Sequence, residues 1–116
     1  MNPDQLVDTL RSRGVDDECI QERFDGDPAL YAECFQEFLT EQSFAALDQA
    51  LNEKEYKTAF SAAHSMKGLA ANLSLREMYR KLCELVEALR GGDYENLDDQ
   101  YQAVLTELSM LQALVV

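Results

Sequence analysis

The sequence holds one histidine, His64, and its neighbours decide what chemistry it can do. An imidazole near neutral pH can serve as a nucleophile, a base or a metal ligand. A metal site is disfavoured. The cysteines Cys19, Cys34 and Cys83 are odd in number and widely spaced, form no Cys-x-x-Cys pair, and a single histidine does not complete a usual zinc site with them. They read as core packing in a reducing compartment. Catalysis is also poorly served. The residues three and four positions from His64 are Phe60, Ser61, Lys67 and Gly68, so no carboxylate on that helical face can orient or deprotonate the ring. Lys67, three residues on, can meet the imidazole. Its ammonium would stabilise a dianionic phosphoryl group attached there. No glycine-rich loop for ATP is present, which argues against autokinase activity and against an enzyme.

At roughly 100° per residue, the segment 56–73 gathers Ala59, Ala62, Ala63, Met66, Leu69, Ala70 and Leu73 on one side, the expected core face. His64 falls opposite, among Lys57, Ser61, Gly68 and Ala71, with Phe60 and Lys67 at the margins. Gly68 is unusual. A glycine inside a helix costs roughly 0.5–1 kcal/mol relative to alanine, and an outward position has no packing reason for it. Close approach of another molecule to His64 supplies a reason, and Ser61 and Ala71 extend the low terrain. Phe60 either closes an edge of the fold or docks a partner.

Helical periodicity dominates the rest of the chain, and strand alternation is nearly absent. Asn2-Pro3 and Asp16 or Asp17 start two short helices within residues 3–24, punctuated by Gly14 and Asp25-Gly26. Asp27-Pro28 starts a long helix over 28–51, with a stripe of Leu30, Cys34, Phe38 and Ala45 flanked by Tyr31 and Phe35; a bend or fray after Ser43 is left open as the face drifts to Leu47 and Leu51. Asn52 caps the helix 53–72. Ser74 and Glu77 form a capping box for 75–90, striped by Met78, Leu82, Leu85 and Leu89, with Arg90 suiting its C-terminal dipole and Gly91-Gly92 stopping it. Asp93 caps 94–113, where Leu97, Tyr101, Val104, Leu108 and Leu111 recur. Four long helices with short connections predict an all-α, antiparallel up-down four-helix bundle, with the short N-terminal helices packed on it and residues 1–116 forming one domain.

Composition agrees. At 47% hydrophobic and 28% charged residues the chain is globular rather than disordered. A net charge of −12 disfavours nucleic acid and anionic membrane surfaces as partners. No signal peptide and no apolar stretch long enough to span a bilayer is seen, so a cytoplasmic location is expected.

The run Ala63-His64-Ser65-Met66-Lys67-Gly68-Leu69-Ala70-Ala71-Asn72-Leu73 resembles the His-x-x-Lys-Gly core of histidine-containing phosphotransfer (HPt) domains, with their small residues and following Asn-Leu. Arg23-Phe24-Asp25-Gly26-Asp27 with Leu30-Tyr31, and Arg90-Gly91-Gly92-Asp93, are similar to that family too, so the resemblance covers residues 15–110. Ser74 departs from it, standing where the family often has glycine; the capping box is the local reason offered for it. The resemblance implies a phosphocarrier of two-component phosphorelays. His64 would be the phosphoacceptor, Lys67 the phosphate-stabilising cation, and Gly68 the clearance residue on a surface shared with Phe60, Ser61 and Ala71. The partners would be response-regulator receiver domains or a sensor histidine kinase, and a receiver would bring its own aspartate and Mg²⁺, leaving this chain without a cofactor. The alternative is a helical adaptor that binds a receiver or kinase without carrying phosphate.

Overall fold

The computed structural model describes residues 1–115; Val116, the last residue of the expected domain, lies outside them. Seven helices and no strand occur among the described residues. They are α1 (Pro3–Arg11), α2 (Asp17–Arg23), α3 (Pro28–Leu39), α4 (Gln42–Asn52), α5 (Tyr56–Asn72), α6 (Arg76–Gly91) and α7 (Leu97–Ala113). The antiparallel course is fixed by who meets whom. On α3 and α4 against α7, Leu39 meets Gln112 while Asp48 meets Tyr101. On α5 against α6, Phe60 meets Arg90 at one end while Ala70 and Tyr79 line one groove at the other. One continuous core runs from Leu6 to Leu111, with Tyr31, Phe35, Leu47, Met66, Met78, Leu82, Leu85 and Val104 fully buried.

The N-terminal start signals act as the sequence reads. Asn2 Oδ1 accepts from the Gln5 amide at 2.8 Å and Gln5 returns the bond, and Asp16 accepts from the Cys19 amide at 2.8 Å. Gly14, at φ +107°, turns the chain where Arg76 crosses; a Cβ there would lie 2.8 Å from Arg76 Cδ. Leu6, Val7 and Leu10 bury the apolar face of α1.

Several expectations are corrected. The long helix over 28–51 is two helices, broken at Thr40 and Glu41, where Glu41 turns extended at ψ 132°. The phase of the apolar residues explains the break. In an unbroken helix at about 100° per residue Leu47 would point away from the side that buries Phe38. The break resets the phase, so both are buried, and Phe44 packs edge-on against Phe38 at 5.5 Å. The buried stripe of α3 is Tyr31, Phe35, Phe38 and Leu39; Leu30 and Cys34 are half-buried and Ala45 is exposed. Asn52 ends α4 instead of capping α5, since Lys54 adopts φ +57° and the Glu55 amide reaches back to the Ala50 carbonyl at 2.8 Å. The capping box at Ser74 does not form. Ser74 itself adopts φ +58°, the Leu75 amide bonds the Ala70 carbonyl, and Glu77 pairs with Arg80. Asp93 likewise closes α6, its amide on the Ala88 carbonyl at 2.9 Å, and α7 starts only at Leu97. Leu69, expected in the core, is 39% exposed.

Candidate functional site

The site is one face of α5. Ala59, Ala62, Ala63, Met66 and Ala70 bury the opposite face, and four of these five are alanines. Small core residues let a helix approach its neighbours closely, so α5 is clasped by α4 and α6 while a single broad face stays open. His64 is exposed at the middle of that face, with Lys57, Ser61, Gly68 and Ala71 exposed around it and Phe60 and Lys67 half-buried at its edge. The structure brings together every residue that the sequence reading places there.

Gly68 has no internal justification. Its φ is not in the left-handed region, and a Cβ built on it meets no atom within 4 Å. Neither backbone conformation nor packing asks for glycine, so the open space is solvent-side clearance beside His64.

Charge is segregated on this face. Helix α5 contains no Asp or Glu, although the chain has 22. Five of the six arginines and Lys81 form ion pairs, while Lys54, Lys57 and Lys67 form none among the described residues. Two unpaired ammonium groups therefore flank His64 on its own helix within an otherwise acidic chain. No cluster of three His, Cys, Asp or Glu suited to a metal ion occurs among the described residues.

Sequence reasoning missed how the C-terminal end of α5 is held. The last four carbonyls of a helix lack intrahelical partners. Here Arg23 Nη1 donates to the carbonyls of Ala71 at 2.8 Å and Asn72 at 3.1 Å, and the Tyr31 hydroxyl donates to that of Leu73 at 2.7 Å. The Cys19 thiol approaches the Asn72 carbonyl at 3.6 Å. Burial pushes the Tyr31 hydroxyl and the Cys19 thiol above their ordinary values, so both keep the proton they donate. Arg23, read from the sequence as a point of resemblance, and Tyr31, read also as a flank of the apolar stripe, thus anchor the helix that carries His64.

At the other end, the Phe60 ring lies parallel to the His64 imidazole, with centroids 5.8 Å apart and planes 13° from each other. The Arg90 guanidinium sits over Phe60, 5.5 Å from its centroid, and pairs with Glu87. Beyond it Tyr56 stacks on Tyr94 at 3.8 Å. Arg90, read from the sequence as a helix-end charge, is a second support of the site.

His64 is thus an exposed imidazole on a helix without carboxylates, with two ammonium groups on the same helix and open space at Gly68 beside it. Residues 31–114 match the Hpt domain, and the chain belongs to that family. Hpt domains serve phosphotransfer in two-component signalling, as carriers rather than catalysts. Comparison with curated proteins and with solved structures found no match. No helix of the described residues is long and apolar enough to cross a membrane.

Proposed function

We propose that this protein is the phosphocarrier of a phosphorelay, accepting a phosphoryl group on His64 from a receiver-domain aspartyl phosphate, or from a cognate histidine kinase, and passing it to a receiver. The observation that carries the reading is His64 standing exposed at mid-helix beside clearance that nothing inside the protein requires. In the step, the unprotonated ring nitrogen attacks phosphorus. The N–P bond forms as the aspartyl O–P bond breaks, and the carboxylate leaves with the bonding pair. The proton on the other ring nitrogen need not move. Transfer onward is the same step reversed on a second aspartate.

Positioning and charge are what a carrier must contribute to such a transfer. Lys67, with no competing ion pair among the described residues, is available to the phosphoryl oxygens, and the carboxylate-free helix spares an incoming dianion like-charge repulsion. Mg²⁺ and the reacting aspartate come with the partner, and Ser61, Gly68 and Ala71 leave room for its surface. Three unpaired cysteines and partners of this class support a cytoplasmic setting.

The test is incubation with a phosphorylated receiver domain and Mg²⁺. Acid-labile, alkali-stable label should appear in the wild-type protein and be absent from His64→Gln. Label of that kind in His64→Gln would sink the reading.

A further inference from the structure

The contact between Phe60 and His64 deepens the proposed function, on which it rests. A histidine on an open helix face is ordinarily mobile. In a helix two χ1 wells are populated, and χ2 of an imidazole has a broad, roughly two-fold preference. About four arrangements of the ring are then within reach, and a donor locked in a protein complex can use only one. His64 has a restraint. Phe60, one turn earlier on the same helix, lies 13° from coplanar with it at a centroid separation of 5.8 Å, within the usual range for offset aromatic pairs. Phe60 is itself restrained. It is half-buried on the bundle's edge, packed against the core, with the Arg90 guanidinium over its ring and Glu87 holding Arg90. Restraint therefore passes from the bundle, through Arg90 and Phe60, to the imidazole.

We propose that Phe60 is the positioning residue of the phosphotransfer step: its ring holds the His64 imidazole in one rotamer, aimed at the incoming phosphorus. This differs from a docking role. A docking residue changes how tightly the partner binds; a positioning residue changes how fast the bound partner reacts. The flat face carries the effect, so tyrosine substitutes for Phe60 and leucine, which keeps apolar bulk without the plane, does not.

The experiment compares wild type, Phe60→Tyr and Phe60→Leu in two ways. Side-chain couplings and ring-to-ring proton contacts of His64 are measured by NMR in the unphosphorylated protein. Wild type and Phe60→Tyr should show one χ1 rotamer and Phe60→Leu an average. Transfer is then followed against increasing phosphorylated receiver. The rate at saturation should fall about fourfold in Phe60→Leu, with the half-saturating concentration unchanged and Phe60→Tyr near wild type. Uptake from phosphoramidate, a small donor free to meet any rotamer, should be the same in all three. A wild-type imidazole already averaged over rotamers overturns the proposal, as does a shifted half-saturation at an unchanged saturating rate. A wild-type protein inert to every phosphodonor strikes the carrier reading itself and the positioning role with it, whatever the rotamer data show.

Discussion

Gly68→Gln separates folding from function at a single residue. The position is exposed, lies inside α5, has no left-handed φ, and offers an added Cβ no atom within 4 Å. The substitution therefore meets only the intrinsic helix preference, which favours glutamine over glycine by about 0.5–0.8 kcal/mol. With unfolding entropy of roughly 2.1 cal/mol/K per residue, a chain of 116 residues has a melting entropy of about 0.24 kcal/mol/K. The melting temperature should rise by about 2–3 °C. Transfer should move the other way. The new side chain stands one turn from His64, where the donor must bring phosphorus to within roughly 3–3.5 Å of the ring nitrogen, and a misplacement near 1 Å costs about a hundredfold. Calorimetry and label transfer from a phosphorylated receiver, on the same preparation, measure both. A rise in stability with an unchanged transfer rate would refute the clearance argument. A fall in stability would mean that the fold itself needs this glycine.

Lys67→Ala should stay folded and slow transfer by roughly ten- to a hundredfold, the worth of one charge-assisted contact of about 1.5–3 kcal/mol, read by the same assay; a variant as inactive as His64→Gln would assign the lysine more than charge. Labelled ATP and Mg²⁺ alone should leave the wild-type protein unlabelled, and autoradiography of that control checks it. Ser74→Gly should stabilise the protein by about 1 kcal/mol, because a non-glycine residue held at φ +58° is strained; denaturant melts would show the gain, and a loss would mean the serine hydroxyl matters more than its backbone. Glu107→Gln should destabilise by about 2–3 kcal/mol, since the buried carboxylate neutralises Arg13 at 2.8 Å and Lys81 at 3.5 Å. That is below the value for a fully buried pair because Arg13 keeps 28% of its side chain exposed; equal melting of variant and wild type would remove this pin between the N-terminal segment and the bundle.

The His64 face was legible because a helical wheel needs only local sequence. His64, Gly68, Ser61 and Ala71 share a face whatever the helix packs against, and one outward glycine marks it. The misreadings have a common cause. Ser74, Asn52 and Asp93 are each good N-caps by residue type, yet each belongs to the end of the preceding helix: Asn52 is the last residue of α4, Ser74 takes the left-handed turn after α5, and the Asp93 amide closes α6. Residue type alone does not say whether a polar residue ends one helix or starts the next. The break at Thr40 was hidden for a related reason: it is demanded by the phase of Phe38 against Leu47, which matters only once both must face one core. The supports of the site were hidden because they are tertiary. Those at the Phe60 end follow, however, from one fact about the turn. With α5 and α6 antiparallel and folded back at Leu75, residues equidistant in sequence from Leu75 become neighbours. Phe60 then meets Arg90 and Tyr56 meets Tyr94, as observed. The register of one short turn thus places the Arg90 guanidinium over Phe60, and lengthening that turn by a residue would move Arg90 off Phe60 while leaving every residue of the His64 face unchanged.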